Sequence, residues 1–115
     1  MSLDISLHIE VDTGGPLPHY VSLYQGNITH NLAVMAREAG IYRALWHPEE
    51  LRVETAADLV VLLEKGVELM RGDPERFRKY NADNGWGTYD QFLPMIEEYL
   101  EACKEHPHAV VSVHR

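Results

Sequence analysis

The amino-acid sequence predicts one α+β domain, residues 1–115, in the order β-β-α-α-α-β: a small antiparallel sheet with helices packed on one face. Three observations predict it. The chain opens on a run that alternates apolar and polar residues. It closes on a second such run. Between them, apolar residues recur at helical spacing.

Residues 4–12 make the first strand. Ile5, Leu7, Ile9 and Val11 alternate with Asp4, Ser6, His8, Glu10 and Asp12, so one face is buried and the other polar. Asp12-Thr13-Gly14-Gly15-Pro16 supplies turn chemistry. Residues 20–24, Tyr-Val-Ser-Leu-Tyr, are rich in β-formers and complete a hairpin. Gln25-Gly26 is expected to break that strand. Thr29 or Asn31 then caps a helix to about Glu38, which Gly40 stops. A short helical piece spans residues 41–46 ahead of Pro48. Thr55-Ala56-Ala57-Asp58 has the form of a capping box, and the helix after it runs to about Arg71 with Leu59, Leu62, Leu63, Val67 and Met70 on its apolar stripe. Pro74 suits the first turn of a short helix bearing Phe77. Residues 81–87 form a loop, and Thr88-Tyr89-Asp90-Gln91 is a second capping box. The last helix buries Phe92, Ile96, Tyr99, Leu100 and Cys103, while Glu97, Glu98, Glu101 and Glu105 form a solvated face. Pro107 closes it, and Ala109, Val111 and Val113 share the inner face of the final strand.

The chain has a net charge of −8, and its ten Lys and Arg residues are scattered. That field repels a nucleic-acid polymer. The longest apolar stretch, residues 59–63, is too short to span a bilayer, so no membrane partner is expected. No signal peptide is visible, and the single cysteine, Cys103, suits a reducing cytoplasm.

Two segments concentrate groups that recognise ligands. Asn27-Ile28-Thr29-His30-Asn31 brings two amides, a hydroxyl and an imidazole to the start of a helix, although capping alone explains part of this. Asn84-Gly85-Trp86-Gly87-Thr88-Tyr89 sets a tryptophan between glycines; Trp86 is either a stacking surface or a plug for the core. Arg37 and Arg43 could add charge. The expected ligand-binding set is therefore Asn27, Thr29, His30, Asn31, Arg37, Arg43, Asn84, Trp86 and Tyr89.

Other constellations read as structural. The seven histidines lack the close pairing of a zinc site, although His8 and His114 could meet on the open sheet face. No catalytic residue, metal ligand or cofactor is assigned. Asp12-Thr13-Gly14 has the letters of the aspartic-protease signature but sits in a turn, outside the all-β setting that chemistry needs.

The segments Asn27-Ile28-Thr29-His30-Asn31-Leu32, Gly40-Ile41-Tyr42, Ala44-Leu45-Trp46, Asn84-Gly85-Trp86-Gly87 and Val111-Ser112-Val113 together resemble a group of small uncharacterised phage and bacterial proteins. The resemblance covers most of the chain and imports no activity. It implies a phage-encoded accessory protein, acting in the host cytoplasm. By analogy with phage proteins that sequester nucleotide signals, it suggests a non-enzymatic homo-oligomer that binds a small polar ligand, a nucleotide among the candidates. The alternatives are a hydrolase with His30 as general base, with or without a metal, and a structural or protein-interaction module.

Overall fold

The computed structural model describes residues 1–115. Its sheet has three antiparallel strands in the order β2-β1-β3: β1 Ser2–Val11, β2 His19–Thr29 and β3 Val110–His114. Five α-helices lie between β2 and β3: α1 Ala33–Glu38, α2 Tyr42–Trp46, α3 Ala57–Gly72, α4 Pro74–Arg78 and α5 Tyr89–Glu105. Two 3-10 turns, His30–Leu32 and Pro48–Leu51, complete the set.

The alternation of β1 decides which face is inside. Leu3, Ile5 and Leu7 are buried beneath the helices together with Ile28 of β2. Helix α5 packs on that side, with Tyr99 stacked on Tyr24 of β2 at 5.5 Å, and α3 packs on α5. The opposite face carries Ser2, Asp4, Ser6 and His8, and no helix covers it.

The predicted break at Gln25-Gly26 does not occur. β2 runs on to Thr29, so Asn27 lies within a strand, paired with Asp4. Gly26 stands opposite Ile5, and a Cβ there would lie 3.1 Å from Ile5 Cγ1. The glycine makes room for a core side chain instead of ending the strand. A bulge where the register shifts between Leu7 and His8 leaves Leu23 as the extra residue. It shifts the phase of β2 by one residue: Tyr24 faces the core, whereas Ser22 and Tyr20 turn to the open face with His8 and Glu10.

The helix expected over residues 29–38 divides into the turn His30–Leu32 and the six-residue α1, with Thr29 Oγ1 accepting from Asn31 N at 3.4 Å. Gly40, at φ 76°, ends it. Before α3 only half of the expected capping box forms: the Asp58 carboxylate accepts from Glu54 N at 3.0 Å and Thr55 N at 3.2 Å. Those bonds hold the Asp58 carboxyl below the usual range. The box at Thr88 and Gln91 is complete.

The hairpin outruns the rest of the fold. β3 pairs with β1 only from Asp4 to His8, while β1 and β2 continue to Val11 and His19. The result is a body 52 × 27 × 23 Å in extent, with Leu17, Tyr20 and Val21 exposed towards one end. At the tip, Gly14 N donates to Asp12 Oδ1 at 2.8 Å, so Asp12-Thr13-Gly14 is a turn, as its setting suggested. No helix is long and apolar enough to cross a membrane.

Candidate functional site

The end of β2 and the loop before α5 meet at a cleft of about 410 Å³ lined by Met1, Ser2, Asn27, Thr29, Asn31, Asn84 and Trp86. Five of these are residues that the sequence singled out. Their convergence follows from the fold. The long β2 delivers Asn27 and Thr29, the turn after it delivers Asn31, and the first turn of α5 fixes the loop across from them.

The loop is clamped. Asn31 Nδ2 donates to the Trp86 carbonyl at 2.8 Å, and Trp86 N donates to Asn84 Oδ1 at 2.9 Å. Within the loop, Ala82 N donates to the Gly87 carbonyl at 2.9 Å. Gly87 is buried at φ 112°, and a Cβ there would meet Asn31 Cβ at 3.1 Å, Thr29 Cγ2 at 3.2 Å and Leu32 Cγ at 3.3 Å. Gly87 N and Thr88 N both donate to Gln91 Oε1 at 3.2 Å. The backbone is thus held from both sides, yet the Trp86 side chain is left out: the residue is 72% exposed. No aromatic ring stacks on its indole, and its ring N–H has no protein acceptor. The tryptophan that plugs the core is Trp46, 3% exposed.

Polar groups in the cleft are oriented by their partners. Asn27 Nδ2 donates to Ser2 Oγ at 2.8 Å and to Asp4 Oδ1 at 2.7 Å. Both amide hydrogens are used, so its Oδ1 is left as an acceptor. Asn84, whose Oδ1 is engaged, keeps its amide donors. A second hollow of about 480 Å³ continues from Asn27 along the open sheet face, lined by Asp4, Ile5, Ser6, Gln25, Gly26 and His114.

The remaining predicted residues lie elsewhere. His30 Nδ1 accepts from Trp46 Nε1 at 2.9 Å, which ties the imidazole to the core and occupies the lone pair of that nitrogen. Arg37 lies over the Tyr42 ring, 4.0 Å from its centre, and Tyr42 in turn stacks on Trp46 at 5.3 Å. Arg43 pairs with Glu50 at 3.8 Å. Tyr89 is buried and donates its hydroxyl to the Met70 carbonyl at 2.8 Å, and burial pushes its pKa up. His8 and His114 do not meet: His114 pairs with Asp4 in the sheet, His8 pairs with Val110, and the His8 ring packs edge-on against Tyr20 at 5.4 Å.

Sequence reasoning did not single out Ser2, Asp4, Ser6 and Gln25 as cleft residues. The period-two pattern already set Asp4 and Ser6 on one face, while Ser2 joins them because β1 begins two residues earlier than expected. The missing step was that β2 passes through Gly26. It also missed His47, Glu49 and Glu50, whose ligand atoms lie within 4.8 Å of one another. Arg115 bonds Glu49 at 3.0 Å, in addition to the Arg43–Glu50 pair, so two guanidinium groups already neutralise these carboxylates. Local backbone hydrogen bonding and the Arg115 charge hold Glu49 below its ordinary pKa.

Comparison with known proteins finds no match: no family profile, no curated protein and no solved structure aligns with the chain.

Proposed function

We propose that this protein is a non-enzymatic binder of a small polar ligand, held between the end of β2 and the Trp86 loop. One observation carries the reading: an exposed tryptophan on a backbone clamped from both sides, at the rim of a cleft whose amides are already oriented. A side chain held in place and left bare loses little entropy when something stacks on it. The apolar surface it presents to water is removed only by a ligand or a partner. The binding residues in this reading are Asn27, Thr29, Asn31, Asn84 and Trp86. His30, Arg37 and Tyr89 serve packing instead, and Arg43 makes a surface ion pair with Glu50.

The hydrolase alternative needs a free imidazole beside the cleft. The engagement of His30 Nδ1 by Trp46 counts against that role. A homo-oligomer remains part of the proposal. The hairpin beyond His8 leaves Val21 exposed next to the half-buried Val11, and a second copy would cover them. A phage-encoded protein acting in a host cytoplasm suits this picture.

The test is a thermal-shift and fluorescence screen against nucleotides and small polar metabolites, run on the native chain and on Trp86→Ala. A stabilising compound whose effect disappears in the variant supports the reading. If a compound stabilises both proteins equally, or none stabilises the native chain, the cleft is not a binding site.

A further inference from the structure

We infer that the ligand is an uncharged saccharide, one ring of which stacks on Trp86 while the remainder lies along the open face of the sheet. This rests on the binding reading above and adds the chemical class.

The first argument is charge. No Lys or Arg side chain lines the cleft or the hollow that continues from it. The arginines that the sequence offered for charge, Arg37 and Arg43, lie instead against Tyr42 and Glu50. The backbone N–H groups at the turn after β2 are committed as well: His30 N donates to the Met1 carbonyl and Asn31 N to Thr29 Oγ1. Asp4, a carboxylate, lies in the trough. A phosphate would meet this carboxylate with no guanidinium, lysine ammonium or free amide nest in the lining to balance it.

The second argument is the mixture of donors and acceptors. The partners settle the orientation of each amide, because a carboxylate and a carbonyl only accept and a backbone N–H only donates. Left over are Asn27 Oδ1, Asn31 Oδ1 and the second Asp4 oxygen as acceptors. The Asn84 amide, one Asn31 amide hydrogen and the Thr29 hydroxyl remain as donors. A phosphate group can answer only the donors. Sugar hydroxyls each donate and accept, so they answer both.

The third argument is shape. The two hollows adjoin at Asn27 on the open sheet face, and the inferred ligand spans both as one trough. From Ser2 to Ser6 the strand advances four residues, about 13 Å, which suits a short oligosaccharide. The indole at one end offers an apolar face of the kind that the C–H side of a pyranose ring covers.

The experiment follows the side-chain amide signals of Asn27, Asn31 and Asn84 and the Trp86 ring N–H by NMR. The full-length chain is titrated with maltohexaose, cellohexaose and chitohexaose, with nucleosides, and with the matching nucleoside monophosphates. The expected result is that at least one oligosaccharide shifts all four residues, with an affinity indifferent to salt. Trp86→Ala should weaken it by about tenfold or more, and Asn27→Ala should weaken it while Gln91 and its capping signals stay in place. If a nucleoside monophosphate binds at these signals more tightly than its nucleoside, and salt weakens it, the uncharged-ligand inference is overturned while the site survives. Binding of nucleosides alone likewise overturns the saccharide and keeps the site. If no compound in any series moves these signals, the site itself is refuted.

Discussion

Replacing Gly87 by alanine tests whether the Trp86 loop is clamped to the end of β2. Gly87 sits at φ 112°, where an L side chain is strained by about 1–3 kcal/mol. The new methyl would also lie 3.1–3.3 Å from Asn31, Thr29 and Leu32, three residues fixed by the strand and the turn after it. Crowding of that kind adds about 1 kcal/mol or more. The reduced freedom of the unfolded chain offsets about 0.5–1 kcal/mol. The net expectation is a loss of about 2 kcal/mol, or a fall in Tm of about 8 °C for a domain of this size. Gly85→Ala is the matched control. Gly85 has φ 79°, and a methyl added there would have nothing within 4 Å, so only the conformational strain applies, and after the same unfolded-chain offset the net cost is about 0.5 kcal/mol. Urea denaturation followed by circular dichroism gives both values, and acrylamide quenching reports the accessibility of Trp86. If Gly87→Ala costs no more than Gly85→Ala, the loop does not rest on Asn31, and the argument for a rigid stacking surface fails.

Asn31→Ala removes the 2.8 Å bond to the Trp86 carbonyl and should cost about 1 kcal/mol, with increased mobility of the Trp86 loop in hydrogen exchange. Trp86→Ala should leave stability within about 0.5 kcal/mol of the native chain, since the exposed indole packs on nothing aromatic; a larger loss by urea denaturation would mean the ring is structural. Burial pushes the Cys103 thiol up to about 12 and raises Tyr24, Tyr89 and Tyr99, so the folded state keeps protons that the unfolded chain releases. Their contribution is fully present below the ordinary thiol value near 9 and is lost as pH rises towards 12; Cys103→Ala should flatten that decline in Tm. Val21→Lys should convert a hairpin-paired oligomer to monomer in light scattering, lowering Tm only by the stabilisation that pairing supplied, and a native chain that is monomeric at the same concentration would remove the pairing proposal.

Most of the fold was legible because its signals are periodic. The alternation of Ile5 and Leu7, the stripe from Leu59 to Met70 and the box at Thr88 and Gln91 each depend on local spacing, and each forms as read. Gly26 was not legible. Locally it is a strand breaker, and its purpose appears only across the hairpin, where Ile5 needs the space. The Leu23 bulge has the same character, since a shift of phase by one residue looks like a lost alternation until the partner strand is known. The site was half legible for a related reason. Asn27, Thr29, Asn31, Asn84 and Trp86 could be picked out by type, and they do converge. His30, Arg37, Arg43 and Tyr89 were picked out the same way, yet Trp46, Tyr42, Glu50 and Met70 engage them, and those partners come from packing that the sequence order does not reveal.

The contrast between the two tryptophans bears most directly on function. Trp46 is buried, stacked on Tyr42 and bonded through its ring N–H to His30, so its size and polarity are both used by the fold. Trp86 uses neither: its backbone makes the loop's hydrogen bonds, and any residue could supply those. A small polar side chain would serve the loop equally well and would avoid exposing an apolar ring to water. The fold therefore accounts for the glycines, for Asn31 and for Asn84, but not for the identity of residue 86. The amides at Asn27 and Asn31 point the same way, each fixed by one set of bonds and left with an open acceptor towards the trough. What the loop and the strand share is an arrangement in which polar groups are fixed before any ligand arrives, and that is where a binding site differs from a well-made turn.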